Sequence, residues 1–320
     1  MAWWKTTAFI GFLTVAALRR YLRLTRKCPS KANINGKTVI ITGASSGLGK
    51  ATAFELARRK AKLILACRNL SSAQTIVKQI QVRTGNSEVV AKELDLSSMS
   101  SIHKFCNQIL FEEQKIDILI NNAGLFQCPL MKTEDGFEMQ MGVNHFGHFL
   151  LTLRLLDKIK ASAPSRIIIV SSSLSKKGNI KFDDINCEQN YNKVKAYSDS
   201  KLANLMFARE LSERLEGSGV DVIALHPGMV ATNLGRYVIP SFINRILSPL
   251  FVSLGLRDAD EGCQSIVYCA VAEKLQKQSG VYIGKDCKPC QYPTNALDKS
   301  NSQKLWELSE KLTKIKYNES

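Results

Sequence analysis

Short runs that are apolar at every position, separated by longer helical patterns, constrain this chain more than any other feature of its sequence. Val39-Ile40-Ile41 and Ile167-Ile168-Ile169-Val170 show no polar alternation, so both faces of each strand must be covered. A parallel sheet held between two layers of helices meets that demand. Strands are expected at Thr38–Thr42, Leu63–Cys67, Glu88–Leu94, Ile116–Ile120, Arg166–Ser171, Asp221–Leu225 and near Gly280–Ile283. Helical patterns at Gly47–Lys60, Ser71–Thr84, Met99–Glu113, Thr133–Ser162, Ala196–Glu216 and Asp258–Ala272 separate them. Strands alternating with helices of that length make right-handed βαβ units. The expected fold is α/β, a single Rossmann-type doubly wound parallel sheet of about seven strands with helices on both faces. No repeat or linker divides residues 36–320, which read as one domain.

Two segments break the alternation. Residues 174–196 form a polar excursion between a strand and a helix. Residues 233–257 are apolar and carry Pro240 and Pro249, which suits either packing on the core or an apolar lid over a substrate. Near the C-terminus, Leu305, Leu308, Leu312 and Ile315 at helical spacing predict an amphipathic helix over Lys304–Lys316 that packs on the domain.

The first strand runs into Gly43-Ala44-Ser45-Ser46-Gly47-Leu48-Gly49 and then directly into a helix. Glycines at 43, 47 and 49 permit a tight turn and let the backbone approach a pyrophosphate, whose charge the helix N-terminus then meets. The spacing is GxxxGxG rather than GxGxxG, but it sits in the strand–turn–helix context that a nucleotide site needs. At the end of the second strand an NAD enzyme presents Asp or Glu to the ribose 2′-hydroxyl. This chain has Cys67-Arg68-Asn69, and the Arg68 guanidinium suits a 2′-phosphate, which favours NADP(H). Asp95, after the third strand, is placed to meet the adenine. Tyr197 and Lys201 lie one helical turn apart on one face. A phenol titrates near ~10, and a neighbouring ammonium is expected to draw that value down toward neutrality.

These features occur in a fixed order with three more: Asn121-Asn122-Ala123-Gly124 after the fourth strand, Val170-Ser171-Ser172 after the fifth, and His226-Pro227-Gly228 after the sixth. The ensemble resembles the short-chain dehydrogenase/reductase family across about residues 36–285. The resemblance implies that Tyr197 is the general acid and that Lys201 assists it and holds the nicotinamide ribose. It implies that Ser172, with Ser171 as fallback, hydrogen-bonds the substrate oxygen, and that Asn144 anchors a relay water. Gly43, Ser45, Ser46, Gly47, Leu48, Gly49, Arg68, Asp95, Asn122, Ala123, Gly124, Tyr197, Lys201, Pro227, Gly228, Val230 and Thr232 would contact the cofactor. Within the family, Ala66-Cys67-Arg68-Asn69, the run from Asn144 to Thr152 and Tyr197-Ser-Asp-Ser-Lys-Leu-Ala-Asn204 resemble the microsomal retinol dehydrogenase subgroup. That likeness implies NADP(H)-dependent interconversion of a carbonyl and an alcohol on an apolar substrate such as retinal. Steroid or other lipid carbonyls, or a non-catalytic NADP(H)-binding membrane protein, are the competing readings. Family members often self-associate, so a homo-oligomer is compatible with the sequence.

The formal charge of +16 needs locating before it means anything. Eight of those charges fall in residues 1–37, which contain no Asp or Glu. A basic tail suits nucleic acid, but this one follows an apolar run from Thr6 to Leu18 with Trp3 and Trp4 in front, the pattern of a membrane-inserted segment. We read residues 1–35 as a membrane anchor with a basic flank that keeps the catalytic domain in the cytosol, at the endoplasmic reticulum or another intracellular membrane or lipid droplet. A cleaved signal peptide is the rival. The run of 13 uncharged residues is short for a spanning helix. Nine scattered cysteines read as reduced, mostly buried thiols, and His145 and His148, without a carboxylate or thiol partner, as packing or pocket residues rather than metal ligands. The sequon Asn69-Leu-Ser71 falls against the expected cofactor site, where a glycan would not fit.

Overall fold

The computed structural model describes residues 27–231, Tyr237 and residues 256–318. The apolar run before Arg19, most of the 233–257 segment and Thr232 lie outside those residues. Each expected strand forms, with ends shifted by a residue or two: β1 Thr38–Thr42, β2 Lys62–Cys67, β3 Val89–Glu93, β4 Ile118–Asn121, β5 Ser165–Val170, β6 Val220–Leu225 and β7 Tyr282–Ile283. They make one seven-stranded sheet in the order β3-β2-β1-β4-β5-β6-β7, and every pairing is parallel.

The unbroken apolar runs divide their side chains between two cores. Ile40, Ile64, Leu119, Ile167 and Ile169 face one. Val39, Ile41, Leu63, Leu65, Ile118, Ile120, Ile168 and Val170 face the other. Helices α1 (Gly47–Arg58) and α2 (Leu70–Thr84), with α6 (Ala259–Val271), cover the second face. Helices α3 (Met99–Glu112), α4 (Gly147–Ala161), α5 (Lys193–Arg214) and α7 (Lys299–Thr313) cover the first. Phe105, Phe146 and Phe149 are among its fully buried side chains. Truncating any of them to alanine is worth about 3–5 kcal/mol.

The region expected as one helix from Thr133 to Ser162 is four pieces. Thr133–Glu138 is a turn in which Gly136 takes φ +83° and the Thr133 N–H donates to the Phe137 carbonyl at 2.8 Å. The buried Glu138 carboxylate then caps a short helical turn, accepting from the N–H groups of Gln140 at 3.0 Å and Met141 at 2.7 Å. Next comes a π-helical turn over Gly142–Phe146, and only then α4. Helix α5 begins three residues earlier than expected because Asn192 accepts from the Val194 and Lys195 N–H groups. The C-terminal helix also starts early, with Asp298 as its cap, and it buries Leu305, Trp306 and Ser309 rather than a stripe of leucines alone. Residues 174–196 hold two short 3-10 turns, Ser173–Lys177 and Phe182–Asp184.

All nine cysteines are free. Among the described residues no helix is long and apolar enough to cross a membrane, and no cluster of ligating side chains could hold a metal.

Candidate active site

The sheet order reverses between β1 and β4, and that is where parallel sheets open a crevice beyond their carboxyl ends. A cleft lies there. Its walls are the turn after β1 (Gly43 and Ser45 to Gly49), the end of β2 (Ala66 to Asn69), Leu94 to Leu96 after β3, Asn122 to Leu125 after β4, and Val143. Eleven expected cofactor residues line it: Gly43, Ser45, Ser46, Gly47, Leu48, Gly49, Arg68, Asp95, Asn122, Ala123 and Gly124.

The turn after β1 tolerates no side chain at two of its glycines. Gly43 takes φ +69°, and a Cβ there would lie 2.9 Å from the Ala123 Cα. A Cβ on Gly49 would lie 2.4 Å from the Gly43 carbonyl oxygen and 2.6 Å from Asn122 Nδ2. Helix α1 follows with no side-chain cap from Ser46 and no acidic residue in its first turn, so its leading amides are left to an anion. The opposite wall is fixed by Thr42, whose hydroxyl oxygen accepts from the N–H groups of Asn122 and Ala123, each at 2.9 Å. Asn122 Nδ2 in turn donates to the Thr42 carbonyl at 2.8 Å. These contacts fit a pyrophosphate-bearing dinucleotide: a cradle without side chains, free amides at one end and rigid backbone opposite.

At the β2 end, the Arg68 side chain is 69% exposed and its Nε lies 4.0 Å from Asp95 Oδ2. It is free to turn toward a phosphate. Asn69 lines the same wall, and its Oδ1 caps α2 by accepting from the Ser72 N–H at 2.8 Å. No carboxylate stands at the end of β2, where a ribose 2′-hydroxyl would need one.

Gly124 links the cleft to the second cluster, since a Cβ there would lie 3.2 Å from Asn144 Oδ1 and 3.6 Å from Lys201 Nζ. Tyr197 is 5% exposed, and the Phe126 ring meets it edge-on with centroids 4.7 Å apart. The Ser172 hydroxyl lies beside the phenol and favours its ionised form. Ser171, by contrast, is spent inside the protein, donating to the Lys201 carbonyl at 2.7 Å. The structure thereby separates the two serines. Lys201 Nζ donates to the Val170 carbonyl at 3.0 Å and lies 6.0 Å from the centre of the Tyr197 ring.

The proton affinities differ from the sequence-based expectation. Burial pushes the Tyr197 phenol up to about 12, against a smaller opposing pull from the Ser172 hydroxyl. Burial also pushes the Lys201 ammonium down to about 8. The ammonium is aimed at the Val170 carbonyl, so desolvation rather than its charge governs the phenol.

Asn144 sits in the π-helical turn with its carboxamide fully engaged. Its Oδ1 accepts from the Leu125 N–H at 2.7 Å, and its Nδ2 donates to the Leu125 carbonyl at 3.0 Å and to Ser200 Oγ at 2.9 Å. Two contributors were not singled out for the site in the sequence. Thr42 is one. The other is His148, whose ring nitrogens pair with the Asn144 carbonyl at 3.0 Å and the Thr42 hydroxyl at 2.9 Å. It therefore ties the end of β1 to the turn that holds Asn144. His145 packs away from the site, against Ser309 of α7 at 2.9 Å. Both rings are buried, which pushes each down to about 3 and keeps it neutral.

Beyond β6, Pro227 is buried and Gly228 takes φ +80° against the Lys285 side chain. Val230 pairs with Arg257 in an isolated bridge, and it packs with Leu48 against Gly262. Val230 thus reaches the glycine-rich turn, whereas these three residues do not line the cleft itself.

Residues 37–240 match the short chain dehydrogenase family. Human "Retinol dehydrogenase 14" is 49% identical over 320 residues, covering 94% of this chain and 94% of its own length. Human "Retinol dehydrogenase 13" is 50% identical over 289 residues, covering 89% of this chain and 87% of its own length. Among solved structures, an uncharacterized protein from Mycobacterium Paratuberculosis superposes with a TM-score of 0.74 at 34% identity, covering 91% of this chain and 98% of that one. A short chain dehydrogenase from Shigella flexneri, complexed with NADP, shares the fold at a TM-score of 0.64 and 21% identity, over 80% of this chain and 99% of that one.

Proposed function

The chain belongs to the short-chain dehydrogenase family and is an oxidoreductase working with a nicotinamide cofactor, and from that premise we propose that it reduces retinal or a similar long apolar aldehyde with NADPH. The observation that carries the reading is the convergence of the Tyr197 and Ser172 hydroxyls beside Lys201, where Gly124 joins them to the dinucleotide cleft. Relatives that are 49% and 50% identical carry the name retinol dehydrogenase, which supports the substrate class.

In this reading the amides at the start of α1 hold the pyrophosphate, Arg68 meets the 2′-phosphate, and Asp95 faces the adenine. Asn122, Ala123 and Gly124 line the middle of the site, and Pro227, Gly228 and Val230 close the nicotinamide side. When bound, the nicotinamide supplies the hydride. Ser172 donates a hydrogen bond to the substrate oxygen and orients it toward Tyr197. Tyr197, protonated because burial holds its proton, gives that proton to the same oxygen as it gains charge. Lys201 holds the ribose hydroxyls and carries the positive charge that steadies the phenolate left behind. Asn144 keeps the turn after β4 joined to the catalytic helix through Leu125 and Ser200. We place the enzyme on an intracellular membrane, of which the endoplasmic reticulum is the foremost candidate, with residues 1–35 as anchor and residues 36–320 facing the cytosol.

Turnover of all-trans-retinal by the purified protein, with NADPH and NADH in parallel, tests the proposal. NADPH-selective reduction that vanishes in Tyr197→Phe supports it. Cofactor binding without retinal turnover removes the retinoid assignment and leaves steroid and other lipid carbonyls to be assayed. Turnover undiminished in Tyr197→Phe removes the catalytic assignment.

A further inference from the structure

The polar stretch between Ser172 and α5 serves neither the cleft nor, so far, the reaction, yet it is held by the residues that flank Tyr197. The Asn179 N–H donates to Asp199 Oδ1 at 2.7 Å, and Lys195 Nζ donates to the Asn179 carbonyl at 2.9 Å. Lys195 and Asp199 are also ion-paired with each other. They stand two residues before and two after Tyr197 in the sequence, so the pair brackets the phenol-bearing turn of α5. Gly178 presses on the same helix, where a Cβ would lie 2.7 Å from the Leu202 Cβ and 2.7 Å from the Ser198 carbonyl oxygen. From the other side Asn295 Nδ2 donates to the carbonyls of Gly178 at 2.7 Å and Ser175 at 3.1 Å. The stretch clamped in this way begins at Ser172, whose own Oγ accepts from the Leu174 N–H at 3.2 Å.

An exposed (i, i+4) ion pair on a helix contributes only about 0.3–0.5 kcal/mol and needs no further role. This one differs because Asp199 is 4% exposed and spends an oxygen on backbone from another element. Burying a carboxylate is costly unless it is paired and hydrogen-bonded. Both partners here lead to one backbone unit.

We propose that Asp199, acting with Lys195 and Asn295, is a positioning residue that locks the turn bearing Ser172 onto the helix bearing Tyr197, so that the two hydroxyls meet one substrate oxygen. It acts through the Asn179 backbone and touches neither substrate nor cofactor. The inference rests on the reductase reading above, in which Ser172 and Tyr197 share a substrate oxygen. A displacement of ~1 Å at such a pair is worth about a hundredfold in rate.

The full-length protein and its Asp199→Ala, Asp199→Asn and Asn295→Ala variants decide the matter by retinal reduction, NADPH titration and amide hydrogen exchange across residues 173–180. Asp199→Ala is expected to lower kcat by about ten- to a hundredfold, with NADPH affinity retained and exchange at Asn179 and its neighbours accelerated. Asp199→Asn keeps an acceptor for the Asn179 N–H and restores most of kcat. Asn295→Ala cuts the opposite anchor without leaving a buried charge unpaired, and so serves if Asp199→Ala does not fold. Wild-type exchange across 173–180 in both alanine variants overturns the clamp, as does a loss confined to KM, or an Asp199→Asn enzyme no better than Asp199→Ala. If the wild type reduces no retinal, the substrate reading fails while exchange at Asn179 still judges the clamp.

Discussion

Tyr197 and Lys201 lie one helical turn apart, and burial drives their proton affinities in opposite directions, up to about 12 for the phenol and down to about 8 for the ammonium. Near neutral pH the phenol therefore keeps its proton and the lysine its charge, the combination that reduction requires. Lys201 loses its proton as pH rises through about 8, so kcat/KM for carbonyl reduction is expected to fall there while Tyr197 is still protonated. A pH–rate profile measures this, and activity level up to the ordinary lysine range would remove the Lys201 charge from the mechanism. Arg68 offers a separate test. Its side chain is 69% exposed, so Arg68→Asp should leave folding intact while cutting the preference for NADPH over NADH by at least about tenfold, as kcat/KM with each cofactor would report. Tyr197, Lys201 and Arg68 are all legible in the sequence because their spacing or their place at a strand end carries the signal. Thr42 and His148 are not, since a threonine ending a strand and a histidine in an apolar helix look like packing until the fold brings them together.

At the scale of elements, the turn joining β1 to α1 and the π-helical turn before α4 do the positioning. The first is written in its glycines. Gly49→Ala places a methyl 2.4 Å from the Gly43 carbonyl oxygen, in backbone that cannot retreat. We expect a loss of about 1–3 kcal/mol in stability and a larger loss in NADPH affinity, read by thermal unfolding with and without cofactor. An unchanged cofactor affinity would mean that the turn is not the pyrophosphate cradle. The π-helical turn escapes sequence reading for a definite reason. Its extra residue shifts the 3.6-residue period without interrupting it, so Thr133–Ser162 reads as one helix. The start of that helix is missed because Gly136 and the Glu138 cap stop the pattern only once Glu138 is buried.

Across the whole molecule, two buried histidines tie separate elements together while staying neutral, His145 to Ser309 of α7 and His148 to Thr42 of β1. Their values, pushed down to about 3 by burial, lie below the unfolded value near ~6.5, so the unfolded chain binds more protons between the two. Each histidine therefore contributes stability that is present above the unfolded value and is lost as pH falls toward the folded one, by about 1.4 kcal/mol per pH unit. Glu138 and Asp199, raised by burial, act in the opposite sense. Comparing denaturant unfolding of the wild type and His145→Gln across the acid range isolates the histidine part: the variant should lose less stability on acidification, and an identical slope would show that His145 does not titrate with unfolding. The sequence by itself determined the parallel sheet, its two covered faces, the dinucleotide turn and the order of the motifs, because these depend on local period and on residues adjacent in the chain. Only the tertiary structure decided that Ser171 is spent on Lys201 while Ser172 faces Tyr197, that desolvation outweighs the lysine in setting the phenol, and that Asn295 and Asp199 grip one turn from opposite sides. Those outcomes depend on burial and on partners tens of residues away, which no local pattern encodes.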